Sequence, residues 1–223
     1  AEIERSMRKP PTSWTAYDLS LQGDQAMMRA EQLWDARYVY DARRLYAKAL
    51  RISPDDARIR AKLAHTYVRA YADPTSPDLG RRGELEHGLE LSRQAVGVAP
   101  GLPLAHAQLG WAKAWMKEPD EAIAAFEKAA SLNPSFVDYR YPLILAFAGE
   151  QERALQAAQD CVRLDPFYGS MLPVIRGIAL YSLERYDDAL RALRETRGRA
   201  PHAPGQAVLA ATLMRLGQRD EAR

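Results

Sequence analysis

The chain has 223 residues, 47% apolar and 27% charged, a balance found in ordinary helix-rich globular proteins and not in disordered or fibrous ones. A formal net charge of +2 gives no reason to expect nucleic acid as a partner, and no run of 18 apolar residues is present to insert into a membrane. A single cysteine excludes an intramolecular disulfide framework and suits a reducing, cytoplasmic setting, and no signal peptide is visible.

Residues 1–11, charged and ending in Pro10-Pro11, read as the tail of an earlier helix and a linker. Thr12 or Ser13 is expected to cap a long helix running through Trp14, Tyr17 and Leu21. A recurrent phrase then sets in. Ala42-x3-Tyr46-x2-Ala49 precedes Pro54, Ala122-x3-Phe126-x2-Ala129 precedes Pro134, and Ala189-x3-Leu193-x2-Thr196 precedes Pro201. Weaker copies are Gly88-x3-Ser92-x2-Ala95 before Pro100 and Ala154-x3-Ala158-x2-Cys161 before Pro166. The prolines are 46, 34, 32 and 35 residues apart, and the first interval becomes 34 once a 12-residue insertion is removed.

Residues four and seven apart share one helical face, so the small residues admit a neighbouring helix and the larger one fills the space beside them. Proline then ends the helix, because it lacks an N–H and drives the preceding residue out of helical dihedrals. Asp55 and Ser135 are placed to begin the next helix. The helix before each phrase carries Leu63-Ala64-x2-Tyr67, Leu109-Gly110-x2-Lys113 or Arg176-Gly177-x2-Leu180.

Together these residues resemble the tetratricopeptide repeat, whose pattern is W-x2-L-G-x2-Y, then A-x3-F, then P. The resemblance implies an all-α fold, a right-handed superhelical solenoid of about five to six antiparallel helix pairs. Units are expected at 23–56, 57–102, 103–136, 137–169 and 170–203, with a partial unit over 204–223, and 1–22 as linker and start of a leading helix. The third unit fits best. The fourth departs most, with Pro142 inside its first helix and no Leu-Gly pair. Because a solenoid end normally carries a polar cap, stopping at Asp220-Glu221-Ala222, where a second helix should open, reads as an excised piece. The break at 71–82, with Pro74, Pro77 and Gly80, reads either as a tolerated edge insertion or as a loop that touches a partner.

In such arrays the first helix of each pair lines a concave groove. Helix geometry then groups Arg58, Lys62, His65 and Arg69 on one face of the second unit. Leu104, Gln108, Trp111 and Trp115 share a face in the third, and Asp24, Met28, Glu31 and Asp35, beside Met27 and Trp34, in the first. A cationic stripe thus faces an aromatic one, which suits carboxylates, flat side chains and extended peptides. The candidate peptide- or protein-binding groove is Arg58, Lys62, His65, Arg69, Gln108, Trp111 and Trp115. The alternative is that the tryptophans pack between helices and the cations are solvated. No lysine-and-asparagine clamp of the chaperone-binding type is recognisable. The corresponding face of the fifth unit, Met171, Ile175, Ile178 and Ser182 beside Tyr181, is apolar. It calls for a cover, either a continuation of the chain or a second subunit, so a homo-oligomer is a possible partner.

No catalytic, metal or cofactor constellation is found. The histidines at 65, 87, 106 and 202 lack ligand spacing, and Cys161 occupies a small-residue position as a buried structural thiol. Asp55-Asp56 and Asp187-Asp188 fall at helix starts, where carboxylates favour the dipole. Arginines 191, 194, 197 and 199 read as a solvated outer face. More narrowly, residues 8–23, Leu164-Asp165-Pro166-Phe167-Tyr168, Tyr186-Asp187-Asp188-Ala189-Leu190 and Leu209-Ala210-Ala211-Thr212-Leu213 are similar to the repeat region of bacterial class III adenylate/guanylate cyclases. Winged-helix regulators share such phrases. The resemblance implies a regulatory or scaffolding module whose parent carries its chemistry elsewhere.

Overall fold

The structure, a computed structural model, describes residues 15–165, 171–195 and 203–222. Among these, eleven helices and no strand are found: α1 (Ala16–Leu33), α2 (Arg37–Ile52), α3 (Ala57–Ala72), α4 (Arg82–Val98), α5 (Pro103–Trp115), α6 (Pro119–Leu132), α7 (Arg140–Phe147), α8 (Gln151–Leu164), α9 (Met171–Ser182), α10 (Tyr186–Arg194) and α11 (Ala203–Arg215). They form two compact units that divide between Pro134 and Ser135, α1–α6 in the first and α7–α11 in the second. Within each unit a helix packs on its sequence neighbours, and the first helices of successive pairs also meet, α3 on α5, α7 on α9 and α9 on α11. This is the side-by-side stacking of a helical solenoid.

The second helix of each pair ends where the sequence predicts. Pro54, Pro100 and Pro134 fall two residues beyond α2, α4 and α6, and the residue before each proline is already out of the helix, with ψ of 79°, 80° and 102°. Its N–H still bonds back into the last turn, as from Ser53 to the Ala49 carbonyl at 3.0 Å. Pro166, Pro201 and Thr196 lie outside the described residues.

Four of the first helices end by another device. Lys117, Gly149, Glu184 and Gly217, with φ of 63°, 86°, 60° and 76°, sit just past α5, α7, α9 and α11. The next N–H in each case bonds the carbonyl five residues back: Glu118 to Lys113, Glu150 to Leu145, Arg185 to Leu180 and Gln218 to Leu213, at 2.9–3.1 Å. This is a Schellman motif repeated four times. Trp34, at φ 52°, is likewise left-handed and directly follows α1.

The repeated phrase sets how closely the pairs approach. A Cβ on Gly23, Gly110 or Gly177 would lie 2.4, 2.6 or 2.5 Å from Tyr46, Phe126 or Leu193, the large residue of the phrase in the partner helix. Those three side chains are buried, as are Ala42, Ala49, Ala122, Ala129 and Ala189 around them.

Three local expectations are corrected. α1 is capped by Thr15, not Thr12 or Ser13, which lie with Trp14 outside the described residues. Thr15 Oγ1 accepts from the Asp18 N–H at 3.2 Å and the Asp18 carboxylate accepts from the Thr15 N–H at 3.0 Å, a reciprocal capping box. The helix runs unbroken through residue 23. Ser135 does not begin the fourth pair. Asp138 does so, accepting from the Arg140 N–H at 3.0 Å and holding the buried Arg140 guanidinium. Pro142 then falls in the first turn of α7, where no intrahelical acceptor exists for a backbone N–H, so its missing donor breaks no ladder. In the second pair the acid that starts the helix is Asp56, not Asp55: it caps α3 by accepting from the Ile59 N–H at 3.0 Å.

Candidate functional site

The candidate face belongs to the first unit and is built on α3, with α1 on one side and α5 on the other. Lys62 reaches across to α1, where its ammonium lies 2.7 Å from Asp24 Oδ2 and 3.1 Å from Ser20 Oγ. Asp24 Oδ1 in turn accepts from the Tyr46 hydroxyl of α2 at 2.7 Å. Burial, with Asp24 beside it, pushes the Tyr46 phenol far above its ordinary pKa, so it is a permanent donor. One carboxylate thus ties three helices together. The charge of Lys62 is internally compensated.

Arg69, two turns further along, is compensated as well. Its guanidinium is 3.1 Å from Asp73, a carboxylate with no exposed surface, and lies 5.4 Å from the centre of the Trp34 ring. Asp73 opens the insertion, which is folded against its neighbours. Thr75 bonds Asp73 Oδ1 through its N–H (2.8 Å) and hydroxyl (2.7 Å), and Thr75 Oγ1 accepts from the Ala36 N–H at the start of α2 (3.0 Å). The Tyr40 hydroxyl of α2 donates to Asp78 at 2.7 Å and lies 2.9 Å from Ser76 Oγ. Arg81 closes on Asp78 at 2.6 Å, and the Gly80 N–H bonds the Tyr71 carbonyl. The Tyr40 hydrogen bond and the Arg81 guanidinium hold the Asp78 carboxyl below the usual carboxylate range. The insertion is therefore a bonded part of the first unit that fastens α2 to the end of α3.

On the other side of α3, Trp111 packs against Val68, Leu85, Leu89 and Ala112. Trp115 stands edge-on to Trp111 (5.6 Å between centres) and to Tyr71 (5.7 Å). The structure thus brings the expected cations and tryptophans to one helix and its neighbours, with unequal access. Gln108 is only 3% exposed and lies behind the face, and Lys62 and Arg69 are half-buried in ion pairs. Arg58 is exposed, with no ion pair among the described residues, and His65 is half-buried. The open rings are Trp34 and Trp115, 36% and 37% exposed, and Met28 on α1 is exposed too. Sequence reasoning missed Tyr71 and Asp73, although Arg69-x3-Asp73 has the spacing of a helical ion pair.

Of the apolar face expected in the fifth pair, Ile175 has no exposed surface and packs with Ala158, Cys161 and Leu172, while Val137, Tyr139, Leu143 and Met171 close around them. Met171, Ile178 and Tyr181 are half-buried and Ser182 is exposed. Cys161 is buried there as expected, and burial, helped by Asp138, pushes its thiol up to about 11. The second unit also has a cleft of about 510 Å³ between α8, α9 and α10. Its Arg176 is held by Glu195, and Arg185 and Arg191 both close on Asp188. Asp187 and Asp188 fall in the first turn of α10 as expected. Among the described residues no three His, Cys, Asp or Glu side chains converge on a metal site, and no helix is long and apolar enough to cross a membrane. His87 stacks on Tyr67 at 4.4 Å and His106 bonds the Pro100 carbonyl at 2.8 Å. His202, Arg197 and Arg199 lie outside the described residues.

Stacked helix pairs, with glycines pressed on the large residue of the partner helix and left-handed residues past most first helices, define a helical-repeat protein. The tetratricopeptide repeat profile matches residues 103–136, which span α5 and α6. Solved structures agree on the fold. TTC0263, a thermophilic TPR protein of Thermus thermophilus, aligns with a TM-score of 0.64 at 18% identity over 86% of this chain and 99% of its own. PilF of Pseudomonas aeruginosa aligns at 0.63 and 17% identity over 100% and 89%. A chain of the APC/C hetero-tetramer Cut9-Hcn1 aligns at 0.68 and 14% over 99% of this chain and 40% of its own. No curated protein matches the sequence.

Proposed function

We propose that this chain is a non-catalytic protein-interaction module that holds a peptide or protein segment against the face formed by α1, α3 and α5. The observation that carries the reading is the pair of rigidly mounted, open indoles, Trp34 and Trp115, on either side of α3. Aromatic side chains already fixed by their neighbours lose little freedom on binding and are the usual anchors of an interface. In this reading Trp34 and Trp115 meet the ligand directly, with His65 and the more distant Arg58 open further back along α3, while Lys62, Arg69, Gln108 and Trp111 support the face from behind.

The test is selection of binders from a random peptide library, followed by calorimetry. Trp115→Ala is expected to weaken the selected peptides at least about tenfold, the size of a truncated hot spot. Its melting temperature should shift by no more than a few degrees, since the ring packs at a helix end. Unchanged affinity would overturn the assignment of this face. The narrower parentage, a regulatory region of a bacterial adenylate/guanylate cyclase, rests on the phrases at 8–23, 164–168, 186–190 and 209–213, and a winged-helix regulator is its competitor. The sequence of the parent gene decides between them: a domain with two metal-binding aspartates supports the first, a winged helix the second.

A further inference from the structure

The chemistry of the ligand can be read from which charges of the face are already taken. Lys62 is held by Asp24 at 2.7 Å and Arg69 by Asp73 at 3.1 Å, and next to them Lys113 is held by Glu121 at 2.6 Å and by Glu118. A ligand carboxylate recruited by Lys62 or Arg69 would displace one of these partners. Asp73, fully buried, would then be left as an uncompensated charge, which is costly. Arg58, the open cation of the stripe among the described residues, lies 11 residues before Arg69, about 16 Å along the helix axis, and so is remote from the indoles.

What the face offers beside Arg69 is uncharged ring surface in fixed orientation. Trp34 is set by its left-handed backbone and by the guanidinium beneath it, and Trp115 by edge-on contact with Trp111 and Tyr71. The described residues around these rings are helices and the docked insertion, with no strand among them, so no strand edge is available there to an extended peptide. The open aromatic surface near the end of α3 is the Trp34 ring and Trp115, which touches Trp111 and Tyr71, flat ring surface of the kind on which proline rings stack. A polyproline segment meets these conditions. It needs no acceptor for its missing N–H, keeps its own carbonyls in water, and stacks its rings on aromatic ones at small entropic loss.

We infer that the face recognises an uncharged, proline-bearing extended segment, with proline rings stacked on Trp34 and Trp115. The inference rests on the proposed peptide-binding role of this face and specifies its ligand. The intact chain is titrated with two probes, a proline decamer blocked at both ends and a glutamate decamer with a free carboxyl terminus. Binding is followed by calorimetry and by tryptophan fluorescence, at low and high salt. The proline decamer should bind with salt-independent affinity and lose at least about tenfold on Trp115→Ala. Trp34→Ala should do the same; because Trp34 also packs on Arg69, its circular dichroism is checked and Trp115→Ala stands as the independent variant. Preferred, salt-sensitive binding of the glutamate decamer would overturn the inference while leaving the peptide-binding role intact. So would library-selected binders without proline that still depend on Trp115. If neither decamer nor any library peptide binds, both readings fall.

Discussion

Arg69 shows how a residue with the pattern of a ligand contact becomes part of the framework. In the sequence it continues the stripe of Arg58, Lys62 and His65, set apart only by the i,i+4 spacing to Asp73. In the fold it faces the buried Asp73 and carries the Trp34 ring. Truncating it leaves a carboxylate without its cation, though the two hydrogen bonds from Thr75 and the partial exposure of Arg69 moderate the loss. Arg69→Ala is therefore expected to lower stability by on the order of 2–3 kcal/mol, seen as a reduced midpoint in urea unfolding. Arg58→Ala, at an exposed site, should change it by less than about 0.5 kcal/mol. Equal effects of the two would show that the ion pair is not structural. The stripe was legible from helical spacing, but its division into open and closed members was not. That division depends on Asp24 and Asp73, of which Asp24 is 38 residues from Lys62.

At the scale of the element, the ends of the second helices were legible and the ends of the first helices were not. Proline imposes its conformation whatever the context, so its position is readable. A left-handed residue is readable only when it is glycine, as at Gly149 and Gly217. At Lys117 and Glu184 the same turn is made by side chains that disfavour it, held there by the hydrogen bond from the following residue. Replacing either by glycine removes that penalty at the cost of added freedom in the unfolded chain. Lys117→Gly and Glu184→Gly should each stabilise by about 0.5–1 kcal/mol, whereas Gly149→Ala should destabilise by about 1 kcal/mol. Calorimetric melting of the three variants checks the signs, and opposite signs at Lys117 would mean that its side-chain contacts outweigh the backbone. The docked insertion was illegible because its bonds, from Ala36 and Tyr40 to residues 75–78, join positions more than 35 apart. Its anchor Asp78 titrates below the usual carboxylate range, so its contribution is complete above about pH 4 and lost as pH falls through its lowered folded value. Hydrogen-exchange protection of the Ala36 and Gly80 amides, corrected for intrinsic rates, should therefore drop between about pH 5 and pH 2. Asp78→Asn should show the drop already at neutral pH. Protection that persists in both cases would mean that Thr75 and Gly80 hold the loop without the carboxylate.

For the molecule as a whole, the repeat makes stability a sum of local terms, and the two units differ in how those terms are joined. In the first, side-chain bonds bridge distant pairs: Lys62 to Asp24, Ala36 to Thr75, and Arg43 to Glu84 at 2.7 Å. In the second, among the described residues, Arg176 to Glu195 and Arg194 to Glu221 are both largely exposed, and such pairs contribute little. A solenoid transmits a local defect only to its neighbours. Gly177→Ala would force a Cβ to 2.5 Å from Leu193 in the second unit, as Gly110→Ala would to 2.6 Å from Phe126 in the first. Each is expected to cost about 1–3 kcal/mol by overpacking. All four tryptophans, at 14, 34, 111 and 115, precede residue 134, so their fluorescence reports the first unit while far-ultraviolet circular dichroism reports both. Gly177→Ala should therefore lower the denaturation midpoint seen by dichroism and leave that seen by fluorescence in place, and Gly110→Ala should lower the fluorescence midpoint. A common shift of both signals in Gly177→Ala would show that the units unfold as one cooperative body. Strength in one unit would then depend on packing in the other.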